Sequence, residues 1–73
     1  MYIIIELQTN EQGETAYLTD KKATIGAAYQ KYHTVLAAAA VSGLAVHASI
    51  ILNERGEIIA RDCFVHGEAQ QEA

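Results

Sequence analysis

The feature that most constrains the fold is a run of nineteen residues, "TVLAAAAVSGLAVHASIIL" at positions 34–52, without a charged side chain. A membrane-spanning helix needs about 20 residues in one helical conformation. This run changes its period at Ser42 and Gly43: apolar residues recur at helical steps before them and alternate as in a β-strand after them. We therefore predict the end of a helix, a glycine stop and a strand, and no membrane segment.

One long helix is predicted upstream of this stop, with Asp20 as its N-cap and Gly43 just past its C-terminus. Apolar side chains recur there at three- and four-residue steps, which is typical of a helix that buries one face. The residues of this face are Ile25, Ala28, Tyr29, Tyr32, Val35, Leu36, Ala39 and Ala40.

Two β-hairpins are predicted around the turns "NEQG" and "NERG". In each turn Asn begins a type I turn, and the glycine, Gly13 or Gly56, takes the left-handed conformation. The recurrence also fits a duplicated hairpin. Because the flanking strands do not match, shared turn chemistry is the favoured interpretation.

The element order β-β-α-β-β predicts one α+β domain over residues 1–66. We expect a four-stranded antiparallel sheet made of the two hairpins, with the long helix packed on one face. Residues 67–73 have no apolar anchor and are expected to form a disordered C-terminal tail.

The second hairpin allows a specific register to be predicted. Pairing Asn53 with Glu57 places His47 opposite Cys63 and Ile51 opposite Ile59 on one face. The other face, expected under the helix, then carries Val46, Ala48, Ile50 and Leu52, together with Ile58, Ala60, Asp62 and Phe64 of the next strand.

Few residues are candidates for a ligand site. An imidazole beside a thiol lowers the thiol pKa, so His47 and Cys63 form the sharpest pair; the alternative is a small buried Cys beside a half-buried His. His33 is turned away from the apolar helix face. It is either a pH-sensitive contact to a ligand or to a second copy, or a solvated histidine. Tyr29 and Tyr32 line a groove or belong to the core.

No catalytic residue, metal site or cofactor is predicted. His47 and Cys63 alone do not close a tetrahedral zinc site. The sequence contains no glycine-rich phosphate loop, no H-E-x-x-H pattern and no G-x-S-x-G elbow.

Composition favours a partner surface. Charged residues are 19% of the 73 residues, against about 25% in a typical domain, and the single cysteine excludes an internal disulfide. A chain this small often needs a partner subunit, so we predict a homo-oligomer, most simply a dimer, that can also bind another protein. A net charge of −4 with five scattered basic residues argues against nucleic acid as a partner.

The function predicted from these observations is a non-enzymatic, homo-oligomeric protein-interaction module. A small-ligand or metal-binding protein with its site at a subunit interface is the alternative. The N-terminus lacks the pattern of a signal peptide, so cytoplasmic residence is expected.

The segment "HTVLAAAAVS", followed by Val46-His47-x-Ser49 and the "NERG" turn, resembles a group of small uncharacterised bacterial proteins. These occur in Gram-positive organisms and their phages or mobile elements. The resemblance covers residues 32–66 and implies a bacterial, cytoplasmic protein. It implies no catalytic residue, because no activity is known for the group.

Overall fold

The computed structural model of the chain describes residues 1–67. Their helix and strands follow the order β1 (Tyr2–Thr9), β2 (Thr15–Lys22), α1 (Ile25–Ala40), β3 (Val46–Asn53) and β4 (Ile58–Val65). The predicted α+β fold is confirmed. Of the expected disordered tail, residues 67–73, all but Gly67 lie outside the described residues.

The four strands form one antiparallel sheet in the order β2-β1-β3-β4. The first strand of each hairpin is therefore central, and β1 pairs with β3 over eight residue pairs, from Tyr2 opposite Asn53 to Thr9 opposite Val46. This pairing joins the hairpins into one sheet that the helix can cover.

Both hairpin turns have the predicted geometry. Gly13 and Gly56 have φ angles of 87° and 81°, in the left-handed region that favours glycine. The backbone N–H of each glycine donates to the carbonyl of the Asn three residues before it, at 3.0 Å. The Asn10 and Asn53 side chains also accept backbone N–H groups within the turns, which explains the recurrence of Asn.

The uncharged run divides as predicted. Helix α1 ends at Ala40, and β3 begins at Val46, so residues 34–52 belong to two elements and a short loop. Within residues 1–67, no helix combines the length and the apolar character that crossing a membrane requires.

Both predicted helix caps are wrong. Strand β2 continues through Lys22, so Asp20 is extended, and Thr24 is the N-cap that accepts from the Ala27 N–H at 3.2 Å. At the other end Val41 caps the helix, and Gly43 does not take a positive φ. The helix thus begins later and ends earlier than the outermost polar and glycine signals indicate.

The core lies between α1 and the central strands. Ala28 and Tyr32 of the helix pack against Ile4 of β1 and Ile51 of β3, all nearly or fully buried. The predicted apolar helix face is confirmed for its central members, whereas Ile25 and Ala40 at its ends are exposed.

The predicted register of the second hairpin is wrong beyond its first pair. Leu52 lies opposite Ile58 as expected, but a β-bulge follows, and Ile51 then lies opposite Ala60. Ile59 is the extra residue in β4, so every later pair is displaced by one position.

The face of β3 that the helix covers is also the reverse of the prediction. Ile51, Ser49 and His47 lie on the helix side, and Val46, Ala48, Ile50 and Leu52 lie on the other. The helix covers the more polar face of β3 because Ile51 is the residue that meets Ile4 and Tyr32 in the core. No helix or strand within residues 1–67 packs on the more apolar face.

The N-cap assignment gives a direct test. Replacing Thr24 by Ala removes the acceptor for the Ala27 N–H and should lower the free energy of unfolding by about 1 kcal/mol. Urea denaturation at one protein concentration measures this. Thr34→Ala, the same change at an exposed position within the helix, is the control and should have little effect. Equal losses in the two variants would contradict the assignment.

Candidate functional site

The structure separates the two residues that formed the sharpest predicted pair. His47 lies opposite Phe64, and Cys63 lies opposite Ala48. Paired residues share a face and neighbours alternate, so His47 is under the helix and Cys63 is on the uncovered face. The predicted His47–Cys63 pair is therefore wrong, because the bulge at Ile59 displaces β4 by one residue.

The three other candidates form an aromatic cluster on α1. Tyr32 is buried in the core, Tyr29 packs against the core, and their rings meet edge to face at 5.9 Å between centroids. The exposed His33 ring stacks on Tyr29 at 5.8 Å. Burial, with the nearby charge of Asp62 second, raises the pKa of Tyr32. Both tyrosines serve packing here.

A row of hydrogen-bonded side chains that the sequence did not predict lies under the helix. It consists of Ser42, His47, Glu6 and Gln8 and is here called the polar chain. His47 is 4% exposed, and its Nε2 is 2.6 Å from Oε2 of Glu6. Its Nδ1 is 3.0 Å from Oγ of Ser42 in the loop after α1. Gln8 Nε2 donates to the same Glu6 oxygen at 2.9 Å. The imidazole therefore connects the loop after the helix to strand β1.

The contact between Glu6 and His47 determines which atoms donate and which accept in the polar chain. An ionised carboxylate only accepts hydrogen bonds, so His47 Nε2 carries a proton and donates it to Glu6. In the neutral imidazole, Nδ1 is then the acceptor for the Ser42 hydroxyl. If His47 is protonated, Nδ1 donates and the hydroxyl reverses, so both charge states keep the connection.

The surroundings of Glu6 favour its ionised form. Partial burial is the largest single influence and opposes ionisation. The hydrogen bonds from Gln8 and His47 together with the charges of His47 and Lys31 outweigh it, so the pKa of Glu6 lies below its ordinary value.

The same three residue types form the triad of serine hydrolases, but the location of Ser42 is unsuited to that chemistry. Acyl transfer needs N–H donors aimed at a developing negative charge. Ser42 follows the C-terminus of α1, the negative end of the helix dipole, and its own N–H and that of Val41 donate to Ala39 and Ala38 carbonyls. The hydrogen bonds from His47 to Ser42 and Glu6 are suited to holding the end of the helix in place.

A second histidine contributes at the same helix end. His66 Nε2 donates to the carbonyl of Ala39 at 2.7 Å, and its ring stacks on Phe64. The Ala39 carbonyl also accepts the Ser42 N–H at 3.3 Å, so the imidazole adds a second and shorter hydrogen bond at the end of the helix. His47 and His66 thus join the helix C-terminus to the sheet.

Ser49 is an exception among the buried polar groups. It is fully buried between Glu6 and Asp62 of the neighbouring strands, and its Oγ has no hydrogen-bond partner in the described part of the chain. A buried hydroxyl without a partner destabilises the folded state.

The side of the sheet opposite the helix, here called the open sheet face, is mainly apolar. Its two central strands contribute only aliphatic side chains apart from Thr9. Its apolar residues are Ile3, Ile5, Leu7, Tyr17, Val46, Ala48, Ile50, Leu52, Ile58, Cys63 and Val65. Lys21 and Arg61 are on the outer strands, and no carboxylate of a described strand lies on this face.

Sequence reasoning missed Glu6, Gln8 and Ser42. One signal was present: Glu6 is the only charged residue in the apolar strand "YIIIELQT" and shares a face with Ile4. A lone carboxylate among residues that face a core requires a partner, and His47 in another apolar strand is a suitable one. The β1–β3 register that brings them together is not a local property.

The chain matches no protein-family model, and no curated protein or solved structure is significantly similar to it. Within residues 1–67, no three His, Cys, Asp or Glu side chains are grouped in a way that could hold a metal ion. Function must therefore be inferred from the polar chain and the open sheet face.

Two serine substitutions should differ in their effect on stability. Ser42→Ala removes a partner of His47 and should lower the free energy of unfolding by about 1 kcal/mol, whereas Ser49→Ala removes an unsatisfied hydroxyl and should leave it unchanged or raise it. Urea denaturation of both variants under identical conditions checks this. A larger loss for Ser49→Ala than for Ser42→Ala would contradict the hydrogen-bond assignment.

The lowered pKa of Glu6 predicts how stability depends on pH. Ionised Glu6 stabilises the folded chain at neutral pH, and this contribution is lost as pH falls from 4.5, the ordinary pKa of the side chain, through its lower pKa in the folded chain. Glu6→Gln should be less stable than wild type at pH 7, with the difference narrowing towards pH 3 in acid titrations followed by urea denaturation. Glu11→Gln, in the exposed first turn, should behave like wild type. A difference for Glu6→Gln that is constant with pH would refute this.

Proposed function

We propose that the protein is a homo-oligomeric interaction module, and that its basic unit is a dimer formed through the open sheet face. The observation that carries this proposal is that the helix covers the more polar face of β3. The helix covers the face with His47 and Ser49, while Val46, Ile50 and Leu52 remain on the uncovered side. A sheet with its more apolar face uncovered is suited to burying that face against a partner.

The most exposed large apolar residues of this face are on its outer strands. Tyr17 is 72% exposed, Val65 is 46% exposed, and Ile58, opposite Leu52, is 60% exposed. Removing such side chains from water contributes about 25 cal/mol for each Å² of apolar surface. Contiguity matters here, because scattered apolar residues are ordinary on protein surfaces.

The size of the face is close to the minimum for a biological interface. Four strands of eight residues cover roughly 26 Å by 19 Å, or about 500 Å² in projection, so a dimer would cover about 1,000 Å² in total over both copies. Two sheets pack face to face at a separation of about 10 Å in β-sandwiches, which is a precedent for the geometry.

A second copy is the partner whose chemistry fits best. The centre of the face carries no charge that would select an oppositely charged protein, and another copy presents an equally apolar centre. Lys21 and Arg61 are on opposite outer strands, where they can remain hydrated at the rim. Each chain has one such face, so pairing by a two-fold axis satisfies both copies.

The alternative of a ligand or metal site between subunits based on His47 and Cys63 has lost its geometric basis, because His47 is buried on the helix side. The predicted bacterial origin and cytoplasmic location belong to the proposal, and the resemblance of residues 32–66 supports them. The further protein partner also belongs to it and is supported by the low charge content.

The dimer is tested by placing a charge at the centre of the open sheet face. Ile50 lies opposite Ile5 on one side and Arg61 on the other. Ile50→Glu should abolish association, because two buried carboxylates would meet across the two-fold axis. Sedimentation equilibrium should give twice the 7.9 kDa chain mass for wild type and a single chain mass for the variant.

The control is Ile25→Glu, which adds the same charge at an exposed helix position and should leave the dimer intact. Arg61 can pair with the new carboxylate in Ile50→Glu, so the monomer is expected to stay folded, as circular dichroism can verify. Wild type that remains a monomer at high concentration would refute the proposal.

A further inference from the structure

A cleft lies on the helix side of the sheet, away from the open sheet face. The helix packs over the central strands, so outer strand β2 is only partly covered. The cleft between α1, β1 and β2 has a volume of about 310 Å³ and is lined by Ile4, Glu6, Leu18, Thr19, Asp20, Lys31 and Val35.

One wall of the cleft presents a carboxylate held in a fixed orientation. His47 Nε2 and Gln8 Nε2 both donate to Oε2 of Glu6. Its Oε1 receives no hydrogen bond from the described part of the chain, so it is available to a donor in the cleft. A group held by its neighbours before binding loses little freedom when a ligand arrives.

Lys31 on the helix supplies the opposite charge. It lines the same cleft as the carboxylates of Glu6 and Asp20. Among the described residues, however, Lys31 forms no ion pair within 4 Å. Asp20 is already engaged by the Lys21 N–H at 2.8 Å and by Lys22 at 3.5 Å.

The remaining walls are aliphatic. Ile4 and Val35 form the buried side, and Leu18 on β2 forms the outer side with 56% of its surface exposed. A ligand in the cleft would cover Leu18 and gain the free energy of removing apolar surface from water.

We propose that this cleft binds a zwitterionic α-amino acid with a branched aliphatic side chain. Its ammonium group pairs with Glu6 Oε1, its carboxylate pairs with Lys31 Nζ, and its side chain packs between Ile4, Leu18 and Val35. A zwitterion fits because its two charges bridge a cation and an anion that do not touch each other. The volume is at the lower limit for ligand sites, which suits a free amino acid.

The test is a titration of the ¹⁵N-labelled full chain with L-leucine, followed by amide chemical shifts. We expect saturating shifts confined to residues around the cleft, such as Ile4, Thr19 and Lys31. Isopentylamine lacks the carboxylate and 4-methylpentanoate lacks the ammonium group, so each should bind roughly tenfold more weakly or worse than leucine.

Two variants assign the ends of the ligand. Lys31→Met should weaken leucine binding about tenfold while leaving isopentylamine binding unchanged or stronger, and Glu6→Gln should weaken both. Lys21→Met is the matched control on the opposite face and should bind leucine like wild type. Because Lys31→Met leaves the Glu6–His47 contact intact, it remains informative if Glu6→Gln fails to fold.

Several outcomes would overturn the proposal. One is the absence of shifts up to the solubility limit of leucine. Another is a set of saturating shifts on the open sheet face instead of the cleft. A third is isopentylamine binding as tightly as leucine, with no effect of Lys31→Met, which would reveal a cation site in place of an amino-acid site. None of these results depends on the oligomeric state, so failure here and failure of the dimer are distinguishable.

Discussion

The pairing of β1 with β3 is the constraint on which the rest of the structure depends. Among the described strands, this ladder alone connects the two hairpins, and its register places Ile4 opposite Ile51 under the helix and Ile5 opposite Ile50 on the other side. The same register brings Glu6 diagonally next to His47, where a hydrogen bond of 2.6 Å forms. A displacement of one residue would exchange the two faces and separate the carboxylate from the imidazole.

The contents of the two sheet faces give the molecule its functional character. Under the helix, aliphatic residues share space with Glu6, Ser49 and His47, and this polarity is used to hold the helix end and to orient a carboxylate towards a cleft. On the other side, the central strands present an almost uninterrupted aliphatic surface. The two proposed functions therefore occupy opposite sides of one sheet and do not compete for residues.

Local features of the fold were accessible from the sequence. The Asn-x-x-Gly turns, the helix through Tyr32 and Val35, and the change of period at residues 42–43 all depend on neighbours within a few positions. The predictions that were wrong concern residues whose positions depend on partners distant in sequence. Asp20 is a good N-cap by residue type, but it is needed in β2, and the burial of His47 in preference to Ile50 follows from contacts with β1 and α1. The site was missed for the same reason, since Glu6 and His47 are 41 residues apart.

The bulge in β4 decides which side chains of that strand lie on each face of the sheet. The turn sets a register with Leu52 opposite Ile58, and the extra residue Ile59 displaces every later pair of β3 and β4 by one position. Without that residue's displacement, Asp62 and Phe64 would project from the side of the sheet that carries Ile50, and Arg61 and Cys63 would be under the helix. One extra residue thus keeps the acidic group of β4 away from the aliphatic surface, so the length of this strand matters as much to that surface as the identity of its side chains.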